Sequence, residues 1–179
     1  TLLRHADQAM YLTKESGKNH YQLFDPESDR KAQTHRRFLD ELRLAMENQE
    51  FVLYYQPKVN LLSGSVFGVE ALIRWQHPQR GLVSPAEFLP HVYGSSLEKP
   101  FGEWVLSKAL AQASAWHAAG LSLVVSVNVS ANDLLRPGFT GELKSALAHH
   151  PELPAACLEL EVLETAAIAD MDHAVEVLQ

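Results

Sequence analysis

Three oxygen-bearing side chains sit inside otherwise apolar stretches of this sequence. Glu70 lies within Val69-Glu-Ala-Leu-Ile-Arg74, Asn128 near the end of Val124–Val129, and Glu161 within Leu158–Leu163. A carboxylate in a buried strand is costly unless it is paired or bound to a metal. Were the three stretches neighbouring strands, each would deliver one oxygen donor near its end. Oxygen-only donors suit Mg²⁺ or Mn²⁺ rather than Zn²⁺. From pattern alone, a local hydrogen bond or solvent exposure is the favoured account of each residue. Alternation places Glu159 and Glu161 on one face, so spacing does not choose between them. Arg74 follows Glu70 on the same strand face, where a guanidinium fork suits a phosphate or a surface carboxylate. Gln56, near the end of an earlier strand, could address a base edge or simply be solvated.

The histidines form no ligand set. His149-His150 precedes a proline at a predicted helix end, where positive charge meets the helix dipole. Trp104 and Trp116 fall on a long predicted helix and read as core.

The elements that must position these groups follow from periodicity and punctuation. Residues 1–17 read as a helix closed by Gly17, and Tyr21–Phe24 as a short strand. Asp25–Lys31 (DPESDRK) has the composition of a linker. A helix with one apolar face is expected from about Thr34, through Phe38, Leu42, Ala45 and Met46. Phe51–Gln56 reads as a strand, Leu62–Gly64 as a turn, and Val66–Trp75 as a second strand paired with the first. Ser84-Pro-Ala-Glu87 reads as a capping box opening a helix. Further helices are expected at Phe101–Ala119, Ala131–Leu135, Gly141–His149 and from Asp172, with strands at Leu123–Val129 and Leu158–Leu163. Strands alternating with helices after an opening hairpin imply an α/β fold with a parallel sheet, open or closed into a barrel. Its chemistry is expected at the C-terminal strand ends.

Composition bounds the rest. The chain has 179 residues, 46% of them hydrophobic, and a formal net charge of −7. That charge disfavours a nucleic-acid polymer as partner, but not a phosphate approached through a metal ion. Cys157 stands alone and can form no internal disulfide; with no apolar run near the length of a membrane span, a cytoplasmic location is expected. A membrane anchor elsewhere in a longer parent is compatible with this.

Several stretches together resemble one family. EALIRWQHP, beginning at Glu70, resembles the signature of the EAL family of cyclic-di-GMP phosphodiesterases. YYQPKVNL (Tyr54–Leu61), GLVSPAEFLP (Gly81–Pro90), GEWVL (Gly102–Leu106), SVNVSANDL (Ser126–Leu134) and LELEVLET (Leu158–Thr165) agree in order and spacing. ADQAMYLTKESGKNHYQLF (Ala6–Phe24) resembles the last helix and strand of GGDEF domains. The expected organisation is a GGDEF end at 1–25, a linker at 26–33 and the N-terminal part of an EAL domain at 34–179. The resemblance implies a modified (β/α)₈ barrel, present in part, whose first strand runs antiparallel. It implies two divalent ions, Mg²⁺ or Mn²⁺, with Glu70, Asn128 and Glu161 as ligands. It further implies Arg74 as phosphate contact, Gln56 and Leu72 lining the nucleotide, and Glu164 steadying a loop over the site. The expected reaction is hydrolysis of cyclic-di-GMP to linear pGpG in bacterial signalling, with GGDEF and sensory domains upstream in the parent.

The family's later aspartate pair, lysine and further glutamate find no match before Gln179, and residues 34–179 fall short of the roughly 250 of a typical barrel. The chain by itself is therefore expected to be inactive, and an open strand edge would give a second copy a place to pair as a homodimer. Val92–Ser96 and Val162-Leu163 also differ from the usual family residues. The competing expectation is an inactive EAL domain that binds cyclic-di-GMP as a sensor or interaction module.

Overall fold

The computed structural model describes residues 25–162. The expected GGDEF helix and strand, Glu164 and the helix from Asp172 lie outside the described residues. Contacts divide the chain into two compact units, Thr1–Leu42 and Arg43–Gln179.

The first helix, α1, spans Pro26–Glu47 and crosses that division. Its start is set by Asp25, whose Oδ1 accepts from the Glu27 amide at 3.0 Å and whose Oδ2 accepts from Ser28 Oγ at 2.7 Å. Pro26 fits the first helical position, and Glu27 and Asp29 oppose the positive end of the dipole. The helix thus begins at Pro26, ahead of the start expected at about Thr34. A polar run opened by Asp-Pro and followed by acids is a helix start as much as a linker composition.

In the second unit, β1 (Phe51–Val59) and β2 (Val66–His77) form an antiparallel hairpin registered from Phe51↔Trp75 to Val59↔Val66. Asn60 Oδ1 accepts from the amides of Leu62 (2.9 Å) and Ser63 (3.2 Å), and Gly64 takes φ 71° to complete the turn. Both strands outrun their expected ends. The three-residue β3 (Gly81–Val83), too short to show a period, pairs with the end of β2.

Helix α2 (Pro85–Val92) begins at Ser84 without the expected capping box. The Ser84 side chain makes no cap bond; its carbonyl accepts from the Glu87 amide at 3.0 Å, and the Glu87 carboxylate is taken by Arg80 instead. Helix α3 (Glu98–Ala118) is followed by Gly120 at φ 82°. Then come β4 (Val124–Val129), the single-turn α4 (Ala131–Leu134), α5 (Phe139–Ala148) and β5 (Leu158–Val162). His149 caps α5, its Nδ1–H donating to the Ser145 carbonyl at 2.7 Å, as the sequence suggested.

The sheet order is β1-β2-β4-β5, with β2, β4 and β5 parallel and β1 antiparallel to them. Alternation gives the sheet two unlike faces. On one, Val69, Ala71, Val125, Val127 and Val129 pack with Leu106, Ala109, Leu110 and Ala113 of α3. Near the β2 end, Phe51 lies 4.8 Å from Phe101, 5.4 Å from Phe88 and 5.6 Å from Trp75, ring centre to ring centre. Trp104 and Trp116 border this core half-buried, Trp116 edge-on to Tyr55 at 4.8 Å. The apolar face fixes strand register, and register decides which polar residues share the other face.

Candidate functional site

That other face is built in rows. Gln56 pairs with Glu70, Glu70 with Ser126, and Ser126 with Glu159, a continuous row across four strands. One step toward the C-terminal ends of the parallel strands, Tyr54 pairs with Leu72 and Asn128 with Glu161. One step the other way, Lys58 pairs with Gly68 and Gly68 with Val124.

The two rows nearest the C-terminal strand ends bring the three proposed oxygen donors onto adjacent strands. Asn128 Nδ2 donates to Glu70 Oε1 at 2.8 Å. With its nitrogen committed to a carboxylate, the amide presents Oδ1, the atom a cation takes. Glu161 stands beside Asn128 in register, but its Oε1 accepts from Lys58 Nζ at 2.5 Å. Glu70 and Asn128 are therefore directly joined, while Glu161 is held by an ammonium group from β1. Among the described residues, no cluster of three His, Cys, Asp or Glu side chains is gathered as a metal-binding group; the convergent set here includes an amide.

Lys58 is the participant that sequence reading missed. Its Nζ reaches Ser126 Oγ at 2.5 Å and Glu159 Oε2 at 2.9 Å as well as Glu161. Ser126 is fully buried and in turn donates to Glu159. The Glu161 hydrogen bond, with that of Glu159, raises the Lys58 ammonium above the ordinary lysine range. Bonds from Ser126 and then Lys58 pull the Glu159 carboxyl below its usual range. The signal lay in parity: Lys58 follows Gln56 by two, Ser126 precedes Asn128 by two, and Glu159 precedes Glu161 by two.

The other expected contacts are placed as follows. Arg74 shares the Glu70 face; its Nη1 donates to the Ile73 carbonyl at 2.8 Å and its guanidinium carbon lies 6.0 Å from the Tyr54 ring centre. Gln56 is exposed beside Glu70. Leu72 and Asn128 line a cavity of about 250 Å³ with Tyr93, Phe101, Ser130 and Asp133. Beside it Ser130 caps α4, accepting from the Asp133 amide at 3.0 Å and donating to Glu98 Oε1 at 2.6 Å. Burial raises the Asp133 carboxyl despite the opposing Arg136.

An α/β sheet with an acidic, amide-bearing face at its parallel strand ends defines the class. The family follows from comparison: the family model described as EAL domain matches residues 39–179, and the chain belongs to that family. It is 39% identical over 179 residues to the bifunctional diguanylate cyclase/cyclic di-GMP phosphodiesterase MucR of Pseudomonas aeruginosa, covering 99% of this chain and 26% of that protein. It is 35% identical over 178 residues to the cyclic di-GMP phosphodiesterase PdeR of Escherichia coli, covering 99% and 27%. The chain thus spans about a quarter of the length of these relatives. The solved PaMucR phosphodiesterase in complex with c-di-GMP superposes with a TM-score of 0.75 at 40% identity, over 79% of this chain and 57% of that one. The EAL enzyme Bd1971, bound to cAMP and cyclic-di-GMP, gives 0.77 at 26% identity, over 99% and 46%. Among the described residues no helix is long and apolar enough to cross a membrane.

Proposed function

We propose that the protein to which this chain belongs is a cyclic-di-GMP phosphodiesterase that hydrolyses the cyclic dinucleotide to linear pGpG. The observation that carries this reading is the union of Glu70 and Asn128 across β2 and β4, with Glu161 next to Asn128 on β5. It is supported by family membership and by relatives named for this activity. The parallel strands with an antiparallel first strand suit part of a (β/α)₈ barrel.

The donor chemistry fits a hard divalent ion: two carboxylates and an amide oxygen, with no sulfur or imidazole. Glu70, Asn128 and Glu161 would hold Mg²⁺ or Mn²⁺, with Glu164 as an expected support for a loop over the site. When bound, such ions supply Lewis acidity and lower the pKa of water. The chain's own residues do the rest. Asn128 fixes the Glu70 carboxylate so that one oxygen is spent and the other is available. Arg74, braced by the Ile73 carbonyl and the Tyr54 ring, keeps further N–H donors for a phosphate oxygen. Leu72 gives a guanine an apolar wall, and Gln56 offers a donor and an acceptor to its edge.

The test is to incubate the full-length protein with cyclic-di-GMP and Mg²⁺ or Mn²⁺ and follow pGpG chromatographically. Product that forms with metal and stops with EDTA is expected. Tight binding in EDTA with no product at any metal concentration would overturn the enzymatic reading and leave a sensor.

A further inference from the structure

The face that carries Glu70, Asn128 and Glu161 holds a second set of hard oxygens beneath them. Ser126 Oγ and the Glu159 carboxylate lie two residues earlier on β4 and β5, about 6.6 Å down the strands. Ser126 already donates to Glu159, so the pair is preassembled. To a divalent ion these are the same class of ligand as the row above, and Glu161 borders both. An ion offered such a face would divide itself between two levels.

The chain settles the lower level with a cation of its own. An ammonium has three N–H donors. Lys58 spends them on Ser126 Oγ, Glu159 Oε2 and Glu161 Oε1. To reach β4 and β5 from β1 the lysine stem must cross β2, and its register partner there is Gly68. A side chain at Gly68 would also drive its Cβ into the Val124 carbonyl oxygen, 2.7 Å away. The bare position gives the lysine its path.

We infer that Lys58 is a positioning residue for the cation site: a built-in ammonium that closes the Ser126–Glu159 level to divalent ions and commits one oxygen of Glu161, leaving the other to give upward. The inference rests on the reading of Glu70, Asn128 and Glu161 as the ion-holding set. With the ammonium removed, Glu159, Ser126 and both oxygens of Glu161 form a competing oxygen site, and Glu161 is free to turn away from Asn128.

The experiment counts Mn²⁺ bound to the full-length protein without substrate, by equilibrium dialysis with EPR detection of free ion. Lys58→Met is expected to bind one more Mn²⁺ per chain than wild type. Its kcat should fall by about tenfold, the scale of losing a group that orients a ligand, while KM stays within about twofold. Lys58→Arg, which keeps the charge, should hold the wild-type count. The double variant K58M/E159Q should return to it, because a ligand of the competing site is gone. If Lys58→Met does not fold, Lys58→Gln carries the same expectation. A wild type that binds Mn²⁺ alongside an uncharged variant with the same count and affinity overturns this inference alone. A wild type that binds no Mn²⁺ overturns the functional reading, and this inference with it.

Discussion

At the level of single residues, the site is a problem of which oxygen each group commits. Glu70 gives one to Asn128 and Glu161 gives one to Lys58, so neither carboxylate is an isolated buried charge. This predicts how the two roles of the site separate. Glu70→Ala removes an oxygen of the proposed ion-holding set but no proposed base contact. Turnover should fall by more than about 100-fold, beyond the 10- to 100-fold typical of groups that merely orient a ligand. Binding of cyclic-di-GMP in EDTA, measured by calorimetry, should stay within about threefold, since the dominant loss is of transition-state stabilisation. Turnover equal to wild type would remove Glu70 from the chemistry. Asn128 and the carboxylates were visible in sequence as polar interruptions of apolar strands. Lys58 was hidden because a lysine near a strand end reads as a solvated side chain, and only the tertiary structure brings its head onto Ser126, Glu159 and Glu161.

Elements, rather than residues, carry the register on which this depends. Gly68 lies where β2 and β4 approach so closely that a methyl group would meet the Val124 carbonyl. Gly68→Ala should therefore strain the β2–β4 pairing and cost about 1–3 kcal/mol by urea denaturation, the usual penalty of an added methylene in packed structure. No loss of stability would show that the two strands can part without consequence. The hairpin and the parallel order were legible because their strands are apolar on alternate residues, bounded by Gly64 and Gly120. The helix start expected at about Thr34 falls instead at Pro26, because charge density alone does not mark a solvated helix turn; Asp25-Pro26 was the discriminating signal. The Ser84 capping box failed for a different reason. Arg80, brought close by β3, offers Glu87 a charged partner in place of a backbone amide. Tertiary geometry of that kind leaves no trace in local spacing.

For the molecule as a whole, acid should be the sensitive side. Glu142 on α5 takes hydrogen bonds from Arg136 at 2.6 and 3.0 Å and from Lys99 of α3 at 2.8 Å. These lower its carboxyl from 4.5 to about 2, Arg136 contributing most. A depressed carboxylate stabilises the fold above its unfolded pKa, and that contribution is lost as pH falls from near 4.5 toward 2. Asp133, raised by burial, works in the opposite sense. Glu142→Gln should accordingly be less stable than wild type at neutral pH, with the gap narrowing as the solution is acidified and as salt screens the exposed pair. Melting temperatures at stepped pH would check this; a gap that widens in acid would contradict it. A last consequence concerns the turn joining β1 and β2. Because β1 runs against its neighbours, this turn hangs below the Lys58 level, at the opposite pole from the strand ends where the chemistry is expected, and Leu61 and Leu62 there are 96% and 100% exposed. It is thus a natural graft point: a flexible insert of about ten residues after Leu62 costs little closure entropy and should leave the proposed hydrolysis by the full-length protein within about twofold, giving engineers an attachment handle remote from the proposed site.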